Sequence, residues 1–411
     1  MLVVHADAVV CGDAAPIQDG AVVVDQSRRI VDVGRAADVL PRHAGFRIER
    51  IRGVVLPGLV NAHTHLELSA LRGQVPGGAG FLRWVENLIA VRSEQAPEAD
   101  TAAIEKAVAE LDAFGTAAVG EVTNSLAAVD ALVKRGLVGC VFHEVFGVRL
   151  QQAERRLEDF VELVGGRFDV WPTHRFSYTR APHTLYTTHS EMVRRLLRAD
   201  VAGNARVSVH LAEYAAERRF LERGDGPVAE WMASRLGLAR ESLEWPGLSP
   251  IVYADRLGAL GPNVLCVHLT DARPDELALV AERGAHAVFC PRSNLHIEAR
   301  FPPLLDALAA GLMAGLGTDS LASNSSLDVL AEAQTLAQRF PDVPARDLVC
   351  MATWTGATAL GRSDVGRIAI GASPGLLAID GIPGNDPCAF ILANVSAPRR
   401  WVVRPNEGPL T

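Results

Sequence analysis

The 411-residue sequence predicts an α/β protein in which a (β/α)8 barrel carries a small composite β-sandwich domain formed by both chain ends. Two patterns lead to this prediction. Apolar strand-like runs alternate with amphipathic helix-like runs through the middle of the chain, which is typical of parallel β/α units. Both ends instead contain short apolar runs separated by turn residues. We therefore expect residues 1–54 and 366–411 to form the β domain and residues 55–365 to form the barrel.

Short apolar segments near each terminus predict the strands of the β domain. At the N-terminal end these segments are Leu2–Val4, Ala8–Val10, Ala21–Val24 and Arg29–Val33. At the C-terminal end they are Leu376–Asp380, Phe390–Leu392 and Trp401–Val403. Turn residues such as Gly12-Asp13 and Asp19-Gly20 separate them. Because the two ends share one pattern, a single domain is favoured, and two unrelated terminal segments remain the alternative.

Eight central apolar segments that alternate with helical patterns predict the barrel. The predicted strands are Val54–Val60, Thr116–Glu121, Gly139–Phe146, Phe176–Pro182, Val207–His210, Val264–His268, Ala287–Cys290 and Met313–Asp319. The helical patterns between them include Ile104–Phe114, Ala153–Val164, Glu191–Leu197, Pro274–Glu282 and Leu327–Ala337. A (β/α)8 barrel has its active site at the C-terminal ends of the strands. A doubly wound open sheet is the alternative, but no Gly-x-Gly-x-x-Gly follows the first strand.

Composition and charge exclude several classes of protein. Hydrophobic residues make up 49% of the chain and charged residues 21%, as in ordinary globular proteins. No apolar run reaches the roughly 18 residues of a membrane-spanning helix. The net charge of −8, without a basic run, gives no reason to expect a nucleic-acid partner. The N-terminus lacks a basic leader and the six cysteines are scattered singly, so we expect a cytoplasmic protein with reduced thiols.

Metal-binding side chains end four of the predicted barrel strands. Strand one ends in His63 and His65, strand five in His210, strand six in His268 and strand eight in Asp319. Side chains alternate along an extended segment, so those of the His-x-His pair point the same way. All the strand ends share one face of a barrel, where these residues should meet. Imidazoles and a carboxylate suit zinc or ferrous iron with one position left open for water.

Glu213 lies three residues after His210, in the segment His210-Leu211-Ala212-Glu213. A carboxylate there would stand beside a metal-bound water without ligating the metal, where a proton shuttle is needed. A divalent metal lowers the pKa of bound water from about 15.7 toward 7, which supplies hydroxide near neutral pH. We interpret Glu213 as that proton shuttle. An acid placed at a helix N-terminus for the helix dipole is the alternative.

Four motifs together resemble the amidohydrolase superfamily, and within it the chlorohydrolase and aminohydrolase branch. They are Pro57-Gly58-Leu59-Val60-Asn61-Ala62-His63-Thr64-His65, His210-x-x-Glu213, His268 and Gly317-Thr318-Asp319-Ser320. Other segments are most similar to the aminodeoxyfutalosine deaminases: His65–Ser69, Glu144–Gly147, Cys290–Asn294 and Gly317–Asn324. The resemblance covers essentially the whole chain. It implies a hydrolase that uses a metal-bound hydroxide to deaminate an aminated heteroaromatic ring, of the 6-aminopurine nucleoside or aminodeoxyfutalosine type, and releases ammonia.

The resemblance also implies the roles of the strand-end residues. It implies that one divalent transition metal, zinc before iron, is held by His63, His65, His210 and Asp319. It implies that Glu213 moves protons while His268 and Asp319 orient the hydrolytic water. Relatives with two metals bridge them with a lysine at the end of strand four. Strand four here ends in Thr179-Arg180, and the chain's two lysines, Lys106 and Lys134, lie at no strand end, so we expect one metal.

A small-molecule substrate is expected, with contacts assigned by position. Trp84, in the segment after strand one, either stacks on a planar ring or packs its helix against the barrel. Arg180, His183 and Arg292 are the candidate polar contacts. The stretches Arg180–Leu185 and Leu295–Arg300 depart from the family pattern, which leaves the exact substrate open. A cyclic amidohydrolase or a chlorohydrolase with the same metal site remains an alternative, and a ligand-binding barrel without catalysis is a remote one. The oligomeric state also stays open, with a homodimer as one alternative.

Overall fold

The structure confirms the predicted α/β fold, with a (β/α)8 barrel and β strands from both chain ends in one sheet. The computed structural model describes residues 1–94, 97–165, 171–201, 205–238, 243 and 245–405. The strands over these residues are β1 (Leu2–Val9), β2 (Ile17–Val24), β3 (Ile30–Arg35), β4 (Arg47–Pro57), β5 (Leu59–Thr64), β6 (Thr116–Thr123), β7 (Val138–Val145), β8 (Phe176–Pro182), β9 (Val207–Leu211), β10 (Val264–His268), β11 (His286–Phe289), β12 (Gly315–Leu316), β13 (Leu376–Asp380) and β14 (Arg399–Val403).

Helices fill the connections between the strands. They are α1 (Ala36–Arg42), α2 (Phe81–Ser93), α3 (Pro97–Ala113), α4 (Val129–Lys134), α5 (Leu150–Val164), α6 (Ser190–Val201), α7 (Ala215–Arg223), α8 (Pro227–Leu236), α9 (Pro250–Leu257), α10 (Pro274–Glu282), α11 (Pro291–Glu298), α12 (Leu304–Ala309), α13 (Val329–Arg339), α14 (Ala345–Cys350), α15 (Gly356–Ala359) and α16 (Pro387–Ala393), with a 3₁₀ turn at Leu66–Leu71 and a π-helical turn at Met351–Thr355. Among the described residues, no helix is long and apolar enough to cross a membrane.

Two four-stranded parallel sheets form the wall of the barrel, in the orders β5-β6-β7-β8 and β9-β10-β11-β12. Parallel backbone bridges connect Thr64 with Asp319 and Thr184 with His210. These bridges join the two sheets at both edges, so the eight strands form one closed ring. At least one helix follows each strand before the next barrel strand begins, as a (β/α)8 barrel requires.

The two chain ends meet in one six-stranded sheet, in the order β14-β13-β4-β1-β2-β3. β1 and β4 run parallel, and the other neighbouring strands are antiparallel. One face of the sheet buries a cluster that includes Val4, Ile51 and Leu376. The opposite face packs Val3 and Val23 on helix α1. The sheet therefore unites N-terminal and C-terminal strands as predicted. Over the described residues it is a single sheet with a helix on one face, whereas the sequence predicted a sandwich of two sheets. The domain limits 1–54 and 366–411 stay a prediction.

The single strand predicted at Val54–Val60 is wrong, because the chain changes sheets within it. Residues up to Pro57 belong to β4 and pair with β1 and β13, and the first barrel strand begins at Leu59. Gly58 lies between them, where an added Cβ would be 2.6 Å from the carbonyl oxygen of Pro374. Only glycine fits so close an approach. An apolar run has the same appearance in either sheet, so the sequence did not reveal the break.

The strand predicted at Phe390–Leu392 is also wrong, since these residues lie in helix α16. The side chain of Asp386 accepts hydrogen bonds from the backbone N–H groups of Cys388 and Ala389, both at 3.0 Å. Pro387 occupies the first turn, where a missing N–H costs nothing. A short apolar run does not distinguish a strand from a helix, and the Asp-Pro start signal decides it.

A buried ion pair joins the terminal sheet to the barrel. Arg399 of β14 donates to both carboxylate oxygens of Asp328, each at 2.7 Å, and only 1% and 5% of the two side chains are exposed. Asp328 also caps helix α13 by accepting from the N–H of Leu330 at 3.0 Å. Arg399 donates further to the carbonyl oxygens of Phe114 and Val395. One guanidinium therefore connects three segments of the chain.

We expect Arg399→Met to lower the free energy of unfolding by about 3–5 kcal/mol, because it leaves the Asp328 carboxylate buried without its partner. The neighbouring Arg400→Met is the matched control. Arg400 is 51% exposed in its ion pair with Glu49, so its loss should cost about 1 kcal/mol or less. Urea unfolding of the two variants measures the difference, and equal losses would contradict a special role for the buried pair.

Candidate active site

The structure brings the strand-end residues together at the C-terminal mouth of the barrel. The ring of His63 lies 4.8 Å from that of His65, 5.0 Å from that of His210 and 5.7 Å from that of His268, measured between centroids. Asp319 follows β12 and reaches the same space. All five residues are buried or nearly so. They come from four strands that are far apart in sequence, and barrel closure places them side by side.

The facing atoms of this cluster are groups that accept hydrogen bonds or bind cations. The Nε2 atoms of His65 and His210 are 3.3 Å apart. Oδ1 of Asp319 lies 3.6 Å from Nε2 of His65 and 3.8 Å from Nε2 of His63. Both ring nitrogens of His63 are buried without a hydrogen-bond partner among the described residues. Buried lone pairs that face one another are costly unless a cation sits between them, so this donor set fits a divalent metal.

Burial sets the protonation states that such a metal needs. It lowers the pKa of His63 well below its ordinary value, and the neighbouring histidines lower it further. Burial likewise lowers the pKa of His210 to about 3. Burial alone would raise the pKa of Asp319, but the nearby His65 and His268 and a hydrogen bond from Ser293 hold it below its ordinary value. At neutral pH the imidazoles of His63 and His210 are therefore neutral and the carboxylate of Asp319 is ionised, as metal ligands must be.

Left-handed backbone conformations cluster around the site. Positive φ angles occur at Ala212 (49°), His268 (75°), Leu269 (53°) and Asp319 (55°), none of which is glycine. Such conformations cost free energy and persist only where the surrounding structure enforces them. The N–H of Asp271 bonds the carbonyl of Ala212 at 2.8 Å, which ties the loop after β10 to the loop after β9. The strained turns aim the side chains into the barrel mouth.

Glu213 is a buried acid beside the histidine cluster. Its Oε1 lies 3.6 Å from Nε2 of His268. Burial raises its pKa well above the ordinary value, and the charge of Asp319 raises it further, so the site favours the protonated carboxyl group. Glu217 holds this turn in place by accepting from the backbone N–H groups of Ala212 and Glu213, at 3.2 and 2.8 Å. Glu213 therefore has the position of a proton donor, and its raised pKa favours the protonated form that a donor needs.

Two side chains of α11 orient the site, and the sequence assigned neither of them a role. Ser293 donates to Oδ2 of Asp319 at 2.6 Å, which leaves Oδ1 facing the histidines. The amide nitrogen of Asn294 donates to Nδ1 of His268 at 3.2 Å, so the proton of that ring lies on Nε2, toward Glu213. Both residues fall in the segment Cys290–Asn294 that carried the family resemblance. Neither is a metal-binding residue type, so the strand-end pattern did not single them out.

Of the four predicted substrate contacts, His183 lies beside the cluster and Trp84 is buried among apolar side chains. The ring of His183 is 5.1 Å from that of His210, and its Nδ1 hydrogen-bonds the Thr187 hydroxyl at 2.8 Å. Trp84, on α2, packs in an apolar cluster with Leu71 and other residues and is 7% exposed. Its indole N–H has no acceptor among the described residues. Trp84 thus packs its helix as one of the two alternatives predicted. Its indole N–H remains able to donate a hydrogen bond to another group.

The other two predicted contacts do not reach the cluster. Arg180 shares one face of β8 with Tyr178, which packs in the cluster on the helix side of the barrel wall. Arg292 donates to the hydroxyl groups of Ser326 and Ser325, at 2.9 and 2.6 Å. Its guanidinium therefore braces the loop that follows Asp319. The structure places both arginines away from the histidines.

The closed barrel, with histidines and an aspartate converging at its mouth, has the architecture of a metal-dependent hydrolase. A family model described as "Amidohydrolase family" matches residues 54–403, and the chain belongs to this family. Enzymes of the family use a divalent metal. The 5-methylthioadenosine/S-adenosylhomocysteine deaminase of Nitratidesulfovibrio vulgaris is 29% identical over 374 residues, 89% of this chain and 79% of that protein. The aminodeoxyfutalosine deaminase of Deinococcus radiodurans is 28% identical over 360 residues, 83% of this chain and 81% of that protein.

Solved structures agree on the architecture. The aminofutalosine deaminase of Helicobacter pylori, in complex with methylthio-coformycin, superposes with a TM-score of 0.88 at 20% identity and covers 100% of both chains. An adenosine deaminase from Xanthomonas campestris with bound zinc has a TM-score of 0.77 at 26% identity and covers 99% of this chain and 90% of its own. The chain is therefore an enzyme that hydrolyses C–N bonds.

We expect one transition-metal ion per chain when the protein is purified without a chelator, because the facing donor atoms surround a single space. Changing both His63 and His65 to Ala should remove the ion. His5→Ala is the control, since His5 pairs with Asp19 on the terminal sheet and should leave the metal content unchanged. Elemental analysis measures the metal content per chain of the parent, the double variant and His5→Ala. Two ions per chain, or a full ion in the double variant, would contradict the single site.

Proposed function

We propose that this protein hydrolytically deaminates an aminated heteroaromatic ring, of the 6-aminopurine nucleoside or aminodeoxyfutalosine type, and releases ammonia. The observation that carries the proposal is the convergence of buried histidines and Asp319 beside the buried carboxyl group of Glu213. Relatives that align over more than four fifths of this chain are named deaminases of methylthioadenosine, S-adenosylhomocysteine and aminodeoxyfutalosine. Their names support an aminated purine ring as the substrate class.

The ligands that we assign to one divalent metal are His63, His65, His210 and Asp319, with zinc as the first choice and iron as the alternative. Two groups of donor atoms that share His63 support this set. One group contains His63, His65 and Asp319, and the other contains His63, His210 and His268. Within each group the possible ligand atoms lie within 4.8 Å of one another. The zinc in the related Xanthomonas structure supports the choice of metal. When bound, the metal supplies a Lewis acid that lowers the pKa of water, so hydrolysis proceeds near neutral pH.

The side chains around the metal carry the proton transfers. Water adds to the ring carbon that bears the amino group, and Glu213 gives its proton to the adjacent ring nitrogen. Glu213 takes up a proton from the added water and passes it to the departing nitrogen. The C–N bond then breaks and ammonia leaves, while the remaining hydroxyl proton returns to Glu213 as the carbon becomes a carbonyl. The buried position of Glu213 excludes bulk water from this exchange.

His268 and Asp319 orient the reacting water. The Nε2–H of His268 is the donor that faces the site, because Asn294 bonds its other ring nitrogen. Ser293 and Ser323 both donate to Oδ2 of Asp319, at 2.6 and 3.0 Å, which fixes the direction of its free oxygen. The N–H of His268 is a donor held in place before the reaction, and such a donor stabilises developing negative charge without reorganisation. The ionised Asp319 instead accepts a hydrogen bond from the water. Both residues therefore act through position, and Glu213 acts through its proton.

We expect Glu213→Gln to retain its metal and to lose turnover by about 10²- to 10⁴-fold, since Gln keeps the shape of the side chain and cannot transfer the proton. Asp225→Asn is the control. Asp225 forms a solvent-exposed ion pair with Arg219, so this variant should leave kcat unchanged. Ammonia release and metal content are measured on the same samples. Turnover near that of the parent would show that Glu213 is not the proton shuttle.

We expect ammonia release from one aminated purine nucleoside to exceed that from its analogues by orders of magnitude, because a pocket that hydrogen-bonds one ring rejects rings that leave its polar groups unpaired. The panel contains adenosine, methylthioadenosine, S-adenosylhomocysteine, aminodeoxyfutalosine, guanine, cytosine, a chlorotriazine and a hydantoin. Turnover of the hydantoin or the chlorotriazine, with no ammonia from any aminated ring, would overturn the deaminase and leave the metal site intact.

A further inference from the structure

Glu144 is a buried carboxylate at the barrel mouth that the mechanism above does not use. It lies near the C-terminal end of β7 and is 5% exposed. Its Oε1 atom has no hydrogen-bond partner within the described part of the chain. A buried polar atom without a donor is costly, so an unpaired carboxylate oxygen at this position calls for an explanation. A donor nearby is Nδ1 of His210, 3.5 Å away.

The ring of His210 connects Glu144 with the metal-binding cluster. Its Nδ1 lies 3.0 Å from the carbonyl oxygen of His183, and its Nε2 faces Nε2 of His65 at 3.3 Å. A carbonyl oxygen can only accept, so Nδ1 carries the hydrogen and Nε2 keeps its lone pair. The same carbonyl already accepts the backbone N–H of His210 at 3.0 Å. The His183 carbonyl is thus shared between the ring N–H and the backbone N–H of His210. Glu144 supplies a second acceptor for the hydrogen on Nδ1 of the His210 ring.

The three groups Glu144, His183 and His210 do not form a second metal site, although their donor atoms lie within 4.8 Å of one another. The hydrogen on Nδ1 of His210 points to the side where such an ion would bind. Nδ1 of His183 is also engaged, with the Thr187 hydroxyl at 2.8 Å. The lone pair needed from His210 is thus on the opposite side of the ring. The geometry favours a hydrogen bond over an ion.

Asn124 holds Glu144 in this orientation. Its amide nitrogen donates to Oε2 of Glu144 at 3.3 Å, which leaves Oε1 toward His210. Asn124 is fixed in turn by Glu67, which accepts its backbone N–H at 2.9 Å, and by Arg156, which donates to its side-chain oxygen at 3.2 Å. A chain of hydrogen bonds therefore runs from the loop after β5 to the end of β7 and fixes the carboxylate.

We propose that Glu144 is a positioning residue that strengthens metal binding by His210. Its carboxylate attracts the Nδ1 hydrogen, holds the ring in one tautomer and orientation, and makes Nε2 a better electron-pair donor. Partners of this kind change metal affinity by about 10- to 100-fold when they are removed. The inference rests on the ligand assignment under Proposed function, and it adds a residue that is not itself one of the assigned ligands.

The test is the affinity of the protein for zinc alone, measured by competition with a chelating dye. Glu144→Gln keeps the size of the side chain and removes its charge, so its dissociation constant for zinc should rise by about 10- to 100-fold. Glu154→Gln is the matched control, because Glu154 is 41% exposed in its pair with Arg195 and should bind zinc like the parent. Equal zinc affinity of Glu144→Gln and the parent overturns the proposal.

Thermal unfolding with and without zinc separates positioning from a structural role. If Glu144 is a positioning residue, Glu144→Gln should unfold at the same temperature as the parent when zinc is absent. When zinc is added, the unfolding temperature of Glu144→Gln should rise by less than that of the parent. An equal loss of stability in both conditions would mean that Glu144 supports the fold, which also overturns the proposal. A parent protein that binds no zinc would instead refute the ligand assignment, and this inference would fall with it.

Discussion

The closure of the barrel is the constraint on which the rest of this structure depends. The two parallel sheets meet at two seams, one between Thr64 and Asp319 and the other between Thr184 and His210. At the first seam the carbonyl of His63 accepts the N–H groups of Thr318 and Asp319, at 3.0 and 3.1 Å. Three of the proposed metal ligands, His63, His210 and Asp319, therefore take part in closing the barrel. Their relative position is set by backbone hydrogen bonds, and no loop has to order before a metal binds.

Helices outside the ring complete the site. Hydrogen bonds from Ser293 and Asn294 of α11 determine which oxygen of Asp319 and which nitrogen of His268 face inward. Glu217 of α7 holds the strained turn that carries Glu213. The same burial that lowers the pKa of His210 raises that of Glu213, so one environment favours a neutral imidazole and a protonated acid together. The chemistry follows from position in an enclosed space as much as from residue type.

The strand-end residues were predictable because each follows an apolar run, and a barrel collects all such ends on one face. The break at Gly58 was not, since both sheets bury the same kind of side chain. The placement of Arg180 depended on strand phase, and its shared face with Tyr178 turns it away from the histidines. Glu144 also ends an apolar run, so the signal that found His210 was present there. The sequence did not single out Glu144, because no neighbouring residue in the chain marks it as part of a site. The fold brings its partner, His210, next to it.

The six-stranded sheet has a consequence for how the chain reaches its native state. β4 lies between β1 and β13, and Leu56 of the N-terminal part pairs with Leu377, which is synthesised only after the entire barrel. Until then one edge of β4, with its apolar residues Val54 to Leu56, has no neighbouring strand. Open apolar edges are sites of intermolecular strand pairing, and contacts so distant in sequence form slowly. A nascent or C-terminally truncated chain therefore carries an adhesive edge that the complete protein covers with its own last strands.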